Sequence, residues 1–431
     1  MYMMMKKSKQ KLLLMLTATA FALSMSSVRV RAAEVEFPVS AYTPQELTKV
    51  REWEKSWVGK KIDKSNIDQV AEFYPESWVQ IFKEPDKWGA PSEEGLYMYI
   101  APYQQIIETK GMIEATRKYA PLVKTDADGK ILNSTEIAGF PFPAPKTGLE
   151  VAYNMEFQNR GDTYDMNWLA PVVDPRARTD READQDYTEM FFVHRTELSP
   201  LPAYDKKQNR KGYHKGQFIH FNKPPEMNNS RFIAMKFIDE TKEYTSYLYY
   251  SEFRRIKRLS QAERTNAIDG TDMIYDDGNM WDGYLSRNTY TFKGKKEMLL
   301  ARDQDIKKTT RVCGQAVANG YTFQRCNTYV VEAVSTDPDY LYGKRVWYID
   351  PETYMIHWQE IWDQLGRFWK CYCQPTQNIR TATGEIKNFM TGYSFHDFQR
   401  SHSGHTDITV RGISIDIRPK MFLLSNLQKT Y

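Results

Sequence analysis

The sequence predicts an α+β protein, a curved antiparallel β-sheet covered by helices. Three observations predict it. Helical spacing with a capping signal is confined to the stretch before residue 139. From there on, short runs of alternating apolar residues are separated by tight polar turns. Aromatic residues make up 14% of the chain, led by 28 tyrosines, and such rings favour strands and apolar faces.

The chain opens with Lys6, Lys7, Lys9 and Lys11, followed by residues 12–25, which hold no charge. A basic region, a short apolar region and the small residues around Val30-Arg31-Ala32 read as a secretory leader, residues 1–32, cut after Ala32 or Ala33. The apolar run falls short of the about 20 residues that a membrane-spanning helix needs. The mature chain is therefore expected in the periplasm, and without a lipid anchor, because no cysteine precedes Cys313. The formal charge of +4 changes sign with the leader, whose six basic residues reduce 59 Lys and Arg to 53 against 55 Asp and Glu, or −2. Nucleic acid is excluded as a partner on that balance, since phosphate binding needs clustered excess positive charge.

Thr43-Pro44-Gln45-Glu46 has the form of a capping box with proline at the first helical position. Leu47, Val50, Trp53 and Trp57 follow at helical spacing, which predicts a helix over 44–57. Looser helical patterns run over 66–83 and 103–119. Residues 33–138 thus read as an N-terminal helical segment, and 139–431 as the sheet domain packed with it in one unit.

"GFPFPAPKTGLEVAYNMEF", residues 139–157, reads as a Pro-punctuated loop entering a strand of about nine residues, with Leu149, Val151, Tyr153, Met155 and Phe157 on one face. "DPRARTDREADQDY", residues 174–187, reads as a polar loop. Strands are predicted at 231–238, at 244–250 and from 254 onward, a meander joined by polar turns. A second meander centres on "YIDPETYMIHWQEIWDQLGR", residues 348–367. There Asp350-Pro351-Glu352-Thr353 forms a type I turn with proline at its second position. Ile356, Trp358 and Trp362 share one face of the next strand, residues 363–366 turn the chain again, and "RFWKCYC" is the third strand.

"DGTDMIYDDGNMWDG" packs Asp269, Asp272, Asp276, Asp277 and Asp282 together. Asp276 and Asp277 offer paired carboxylates for acid and base work, and the set offers oxygen ligands for a cation. The spacing departs from the EF-hand loop, and the intervening Gly and Asn are turn formers, so a structural loop is expected, with Arg254, Arg255 and Arg258 as partners. "HDFQRSHSGHTD" brings His396, His402 and His405 near Asp397 and Asp407, but His402 and His405 lack the spacing of a helical ligand pair, and a surface loop explains the composition. No nucleophile elbow, phosphate loop or dinucleotide fingerprint appears. The residues therefore assign no catalytic group, metal or cofactor. The candidate ligand surface is aromatic: Tyr247 and Tyr249 on the first meander, Trp358 and Trp362 on the second. Plain core is the competing reading for all four, because apolar strand faces are ordinarily buried.

The four cysteines are Cys313, Cys326, Cys371 and Cys373. In "CGQAVANGYTFQRC" the dipeptide Asn319-Gly320 is a strong hairpin signal. A two-residue turn there would place Cys313 opposite Cys326 in a non-hydrogen-bonded pair, about 4.5 Å apart at Cα, inside the disulfide window. A Cys313 to Cys326 bridge is expected, with Cys371 and Cys373 reduced or in a strained link.

"YIDPETYMIHWQEIWDQLGR" resembles the strand, D-P-x-T turn, strand, D-x-x-G turn arrangement of the LolA and LolB type of periplasmic lipoprotein carriers. Over residues 40–430 the chain resembles more closely a proteobacterial domain of unknown function related to that superfamily. Its features here are Gly139-Phe140-Pro141-Phe142-Pro143, Tyr249 with Arg254, Arg255 and Arg258, Asp276-Asp277 with Trp281 and Gly283, and Tyr348-Ile349-Asp350 with Asp363. The resemblance implies an incomplete, curved barrel closed by helices, with an apolar concavity for acyl chains. It also implies a route shared with a resistance-nodulation-division type transporter and an outer-membrane barrel protein. The expected function is that of a non-enzymatic periplasmic carrier or binding protein for a hydrophobic, lipid-like molecule. The alternatives are a hydrolase using the Asp276 and Asp277 loop, and a structural envelope protein with no small ligand.

Overall fold

A computed structural model describes residues 37–88, 95–158, 160–173, 179–260, 265–268, 271–305 and 319–428. The leader, Asp269 and Cys313 lie outside the described residues. Helix α1 (Pro44–Trp57) starts at a capping box: the Thr43 hydroxyl accepts from Glu46 N at 3.3 Å, and the Glu46 carboxylate accepts from Thr43 N at 2.7 Å. After β1 (Lys61–Ile62), the helical pattern expected over 66–83 resolves into 3-10 turns at Ile67–Gln69 and Ala71–Phe73 and then α2 (Glu76–Lys83). Pro75 stands at the N-cap of α2, where a ring without N–H interrupts the earlier turns. Strand β2 (Met98–Ala101) precedes α3 (Lys110–Tyr119), and the chain from Tyr103 to the Thr109 cap is irregular rather than helical.

Residues 148–157 are helix α4 (Gly148–Phe157), not the strand that their alternation suggested. Thr147 and Glu150 form a second capping box, and the buried set Gly148, Val151, Ala152 and Met155 has helical spacing, while Leu149 and Tyr153 are only half-buried. The polar stretch after it is also regular. Strands β3 (Thr163–Val173) and β4 (Thr179–Phe191) pair along their length, so most of the expected loop over 174–187 is strand.

The remaining strands are β5 (Tyr213–Lys223), β6 (Arg231–Phe237), β7 (Thr245–Tyr250), β8 (Arg255–Leu259), β9 (Asn288–Leu300), β10 (Thr322–Ser335), β11 (Tyr342–Ile349), β12 (Ile356–Asp363), β13 (Phe368–Cys373), β14 (Thr376–Arg380), β15 (Ile386–Met390), β16 (Gly392–Asp397) and β17 (His402–Ile413). Fifteen of the strands form one sheet in the order β1-β2-β10-β11-β12-β13-β16-β17-β3-β4-β5-β6-β7-β8, with β9 beside β10. β14 and β15 pair separately. The sheet is open and curved, and its ladder is antiparallel except between β2 and β10. The α+β class and the helix-covered antiparallel sheet are as the sequence predicts. Both meanders stand where expected, and the segment around His402 and His405 is the β16–β17 hairpin in mid-sheet rather than a surface loop.

Two cores lie on opposite faces. The inner one joins Trp168, Trp347, Ile356, Tyr372 and Phe395 to Val151 and Met155 of α4 and to Met273 and Met280. The outer one joins Trp358, Cys371 and Cys373 to Trp78 and Phe82 of α2. Ile356 therefore does not share a face with Trp358. The register slips between Tyr348 and Ile349, so that Tyr348 pairs with Trp358 but Ile349 with Ile356, and the extra residue, His357, reverses the alternation.

Cys313 and the first arm of the expected hairpin lie outside the described residues. β10 pairs with β9 from Gln324 onward, with β2 over 322–324 and with β11 over 329–334, and Cys326 stands opposite Met298. Asn319 holds the residues leading into β2, accepting from Tyr97 N at 3.1 Å and donating to Gly95 O at 2.9 Å. Cys326, Cys371 and Cys373 are free, buried thiols, and burial raises the pKa of all three.

Candidate functional site

The inner face is built from cross-strand rows. Tyr164 of β3, Glu189 of β4 and Gln217 of β5 are register partners, and Met166, Tyr187 and Ile219 form the next row. Further along the sheet, Arg345, Ile361, Lys370 and Asp397 form one row and Trp347, Gln359, Tyr372 and Phe395 another. Period-two alternation thus places cations and phenols on the same side as the large apolar side chains.

Residues 271–287 lie against this face, with a 3-10 turn at Tyr275–Met280. Three aspartates secure them. Asp277 pairs with Arg345 at 2.9 Å and accepts from the hydroxyls of Tyr342 and Tyr372 at 3.0 Å each. Asp282 pairs with Lys215 at 2.7 Å and accepts from Gln217 Nε2 at 2.8 Å. Asp272 lies 3.4 Å from both Arg400 and His402, and its backbone oxygen accepts from Lys370. Burial, with Asp397 nearby, raises the Asp272 pKa, and burial lowers that of Lys370. Asp276 accepts from the Tyr340 hydroxyl at 3.0 Å.

The acidic loop is therefore a plug against the sheet, and the expected partners are replaced. Arg254 precedes the exposed terminal strand β8, which carries Arg255 and Arg258, while Arg345, Lys215 and Arg400 take the acids. Sequence reasoning missed these partners because they come from β11, β5 and the turn after β16. The available signal was the five-residue step from Asp272 to Asp277 to Asp282, which lets one irregular segment meet three separate parts of the sheet.

Between the plug and β3, β4, β5 and β16 is a cavity of about 60 Å³, lined by Met166, Trp168, Tyr187, Ile219, Met273 and Tyr393 among others. At about 10–15 Å³ for each water, it has room for a handful of waters or a short apolar chain.

The four aromatic candidates do not line this cavity and fall in separate places, with only Tyr247 and Tyr249 in a common cluster. Trp358 is fully buried on the outer side against Trp78, Tyr74 and Phe323, and its Nε1 donates to Leu299 O at 2.8 Å. Trp362 is half-buried, edge-on to Phe368 and beneath Lys344. Tyr247 and Tyr249 are half-buried in a separate outer cluster with Phe218, Ile417 and Met421. Those last three residues line an open groove of about 610 Å³.

The histidines also have local partners. His396 Nδ1 meets Ser403 Oγ at 2.8 Å between the rings of Trp78 and Trp88. His405 meets Ser394 Oγ at 2.9 Å and the Tyr321 hydroxyl at 3.2 Å. Among the described residues, no group of three or more His, Cys, Asp or Glu side chains is placed to hold a metal ion. Among the same residues, no helix is long and apolar enough to cross a membrane.

Residues 61–421 match the family described as "Protein of unknown function (DUF1329)". An uncharacterized protein of Pseudomonas aeruginosa is 22% identical over 321 residues, which cover 72% of this chain and 67% of that one. A solved DUF1329 family protein from Desulfovibrio piger is similar with a TM-score of 0.45 at 12% identity, over 65% of this chain and 98% of its own. A LolA superfamily protein from Nitrosomonas europaea is similar with a TM-score of 0.40 at 12% identity, over 65% of this chain and 100% of its own.

Proposed function

The chain belongs to the DUF1329 family, and from that premise we propose that it is a non-enzymatic binding or carrier protein for a hydrophobic, lipid-like molecule in the periplasm. The observation that carries this reading is the apolar cavity between the inner face and residues 271–287. A hydrophobic molecule gains about 25 cal/mol for each Å² of apolar surface removed from water, so burial alone supplies the driving force. The plug is joined to the sheet through side chains of three aspartates, so a ligand longer than the cavity is accommodated by displacing it. The leader read at residues 1–32 and the resemblance to lipoprotein carriers support the periplasmic setting. The same resemblance supports delivery to or from a resistance-nodulation-division type transporter and an outer-membrane barrel protein.

Against hydrolysis at the acidic loop stands the engagement of Asp277, whose carboxylate is occupied by Arg345, Tyr342 and Tyr372. A structural envelope protein without a small ligand is the second reading, favoured by the small cavity volume. Lipid extraction of the purified protein followed by mass spectrometry separates the two. A bound amphiphile, or saturable uptake of an added one, is expected; failure of both removes the carrier reading.

A further inference from the structure

Across Asp282 from the apolar cavity lies a second, polar one of about 20 Å³. Buried polar groups are ordinarily paired. Yet residues lining this small space contribute five buried polar atoms without a hydrogen-bond partner: Gln158 Nε2 and Oε1, Arg160 Nε, His214 Nδ1 and Trp281 Nε1. Arg160 is 8% exposed, and its one hydrogen bond among the described residues runs from Nη2 to Asn279 O at 3.1 Å.

The charges around the space sum to zero, three cations against three carboxylates, but they are unevenly paired. Lys236 is neutralised by Glu156 at 2.6 Å, and Lys215 by Asp282 at 2.7 Å and Glu189 at 3.0 Å. Burial, then Lys236 and Lys215, push the His214 pKa down, so its ring is neutral. Two carboxylates converge on Lys215, whereas the buried Arg160 guanidinium has none at ion-pair distance among the described residues and lies beside the unused N–H groups of Gln158 and Trp281. A void of this size suits one or two waters, or the oxygens of a carboxylate, which pairs with a guanidinium fork.

We infer that the hydrophobic ligand of the inner cavity ends in a carboxylate held by Arg160, with Gln158 and Trp281 donating N–H groups to it. This rests on the carrier reading and narrows it to acid-headed amphiphiles. The apolar tail occupies the cavity beside Ile219 and Tyr187, and the head reaches past Asp282 to Arg160.

Titrating the purified full chain with octanoate and with octanol, two tails of equal length, tests it. The wild type is expected to prefer octanoate by about tenfold or more, from one charge-assisted pair. Arg160→Gln is expected to abolish that preference. Trp281→Phe, which keeps a ring but loses the donor, is expected to reduce it and serves if the first variant does not fold. Equal affinity for the two probes in the wild type, or a preference that survives in every variant that folds, overturns the carboxylate inference while leaving the carrier reading in place. Binding of neither probe overturns both.

Discussion

Arg345 Nη2 lies 2.9 Å from Asp277 Oδ1, with side chains 3% and 0% exposed. This pair joins the irregular segment 271–287 to β11 in the interior. Its desolvation cost is offset by two tyrosine hydroxyls on the same carboxylate.

Removing one partner leaves a buried charge without compensation, so Arg345→Met is expected to cost about 3–5 kcal/mol. Adding Asp277→Leu should recover much of that loss, since an apolar replacement of both partners is often neutral. Urea denaturation of the single and double variants measures both. A single variant within about 1 kcal/mol of wild type would mean that the pair is solvated.

Thr147→Ala is expected to destabilise by about 1 kcal/mol through loss of the α4 cap. Were residues 148–157 a strand, the same change would be close to neutral. The thermal midpoint of the variant distinguishes the two.

Burial holds His357 and His396 neutral, each with a pKa pushed down to about 3. For His357 the neighbouring Arg302 adds to the effect, and for His396 His405 does. The unfolded chain binds these protons near pH 6.5. Their contribution is therefore fully present above about pH 6.5 and is lost as pH falls toward 3, on the order of 1.4 kcal/mol per pH unit for each ring. Burial raises Glu352 and Glu360 and acts in the opposite sense. The readout is therefore a difference: the stability of His396→Asn should fall less steeply between pH 6.5 and 5 than that of wild type. Parallel slopes would show that the ring already protonates in the folded state.

Ile219→Phe places extra carbon in the apolar cavity and is expected to weaken uptake of an added amphiphile, at a stability cost of about 1–3 kcal/mol. Trp362→Ala, on the outer face, should leave uptake unchanged. Equal loss in both variants would move the ligand away from the inner cavity.

Local signals were legible in the sequence and distant ones were not. The Thr43 cap lies within a few residues of its partner, and the turn at residues 363–366 closes through Gly366 N on Asp363 O at 3.0 Å. The α4 segment misleads because Leu149, Val151, Tyr153, Met155 and Phe157 satisfy a period of two, while the period that packs is set by Val151, Ala152 and Met155. The Thr147 and Glu150 capping box was the signal to weigh against the alternation. The site itself depends on which cations the sheet order brings under each aspartate. Lys215, Arg345 and Arg400 are ordinary exposed-type residues when read along the chain, and only the strand order makes two of them interior. The meander turns were visible because Pro351 and Gly366 set local dihedrals, whereas the His357 bulge that moves Ile356 to the other face has no comparable local marker.

Strand β8 closes the sheet order opposite β1, and its residues Arg255, Ile256, Lys257 and Arg258 all face solvent. An outermost strand presents backbone donors and acceptors on which another chain's strand can add. Three cations in four positions make such addition electrostatically costly, because an identical strand arriving there would bring the same charges. Arg255 and Arg258, two of the arginines expected beside the acidic loop, thus stand with Lys257 on an edge where their charge opposes edge-to-edge extension of the sheet by an identical copy.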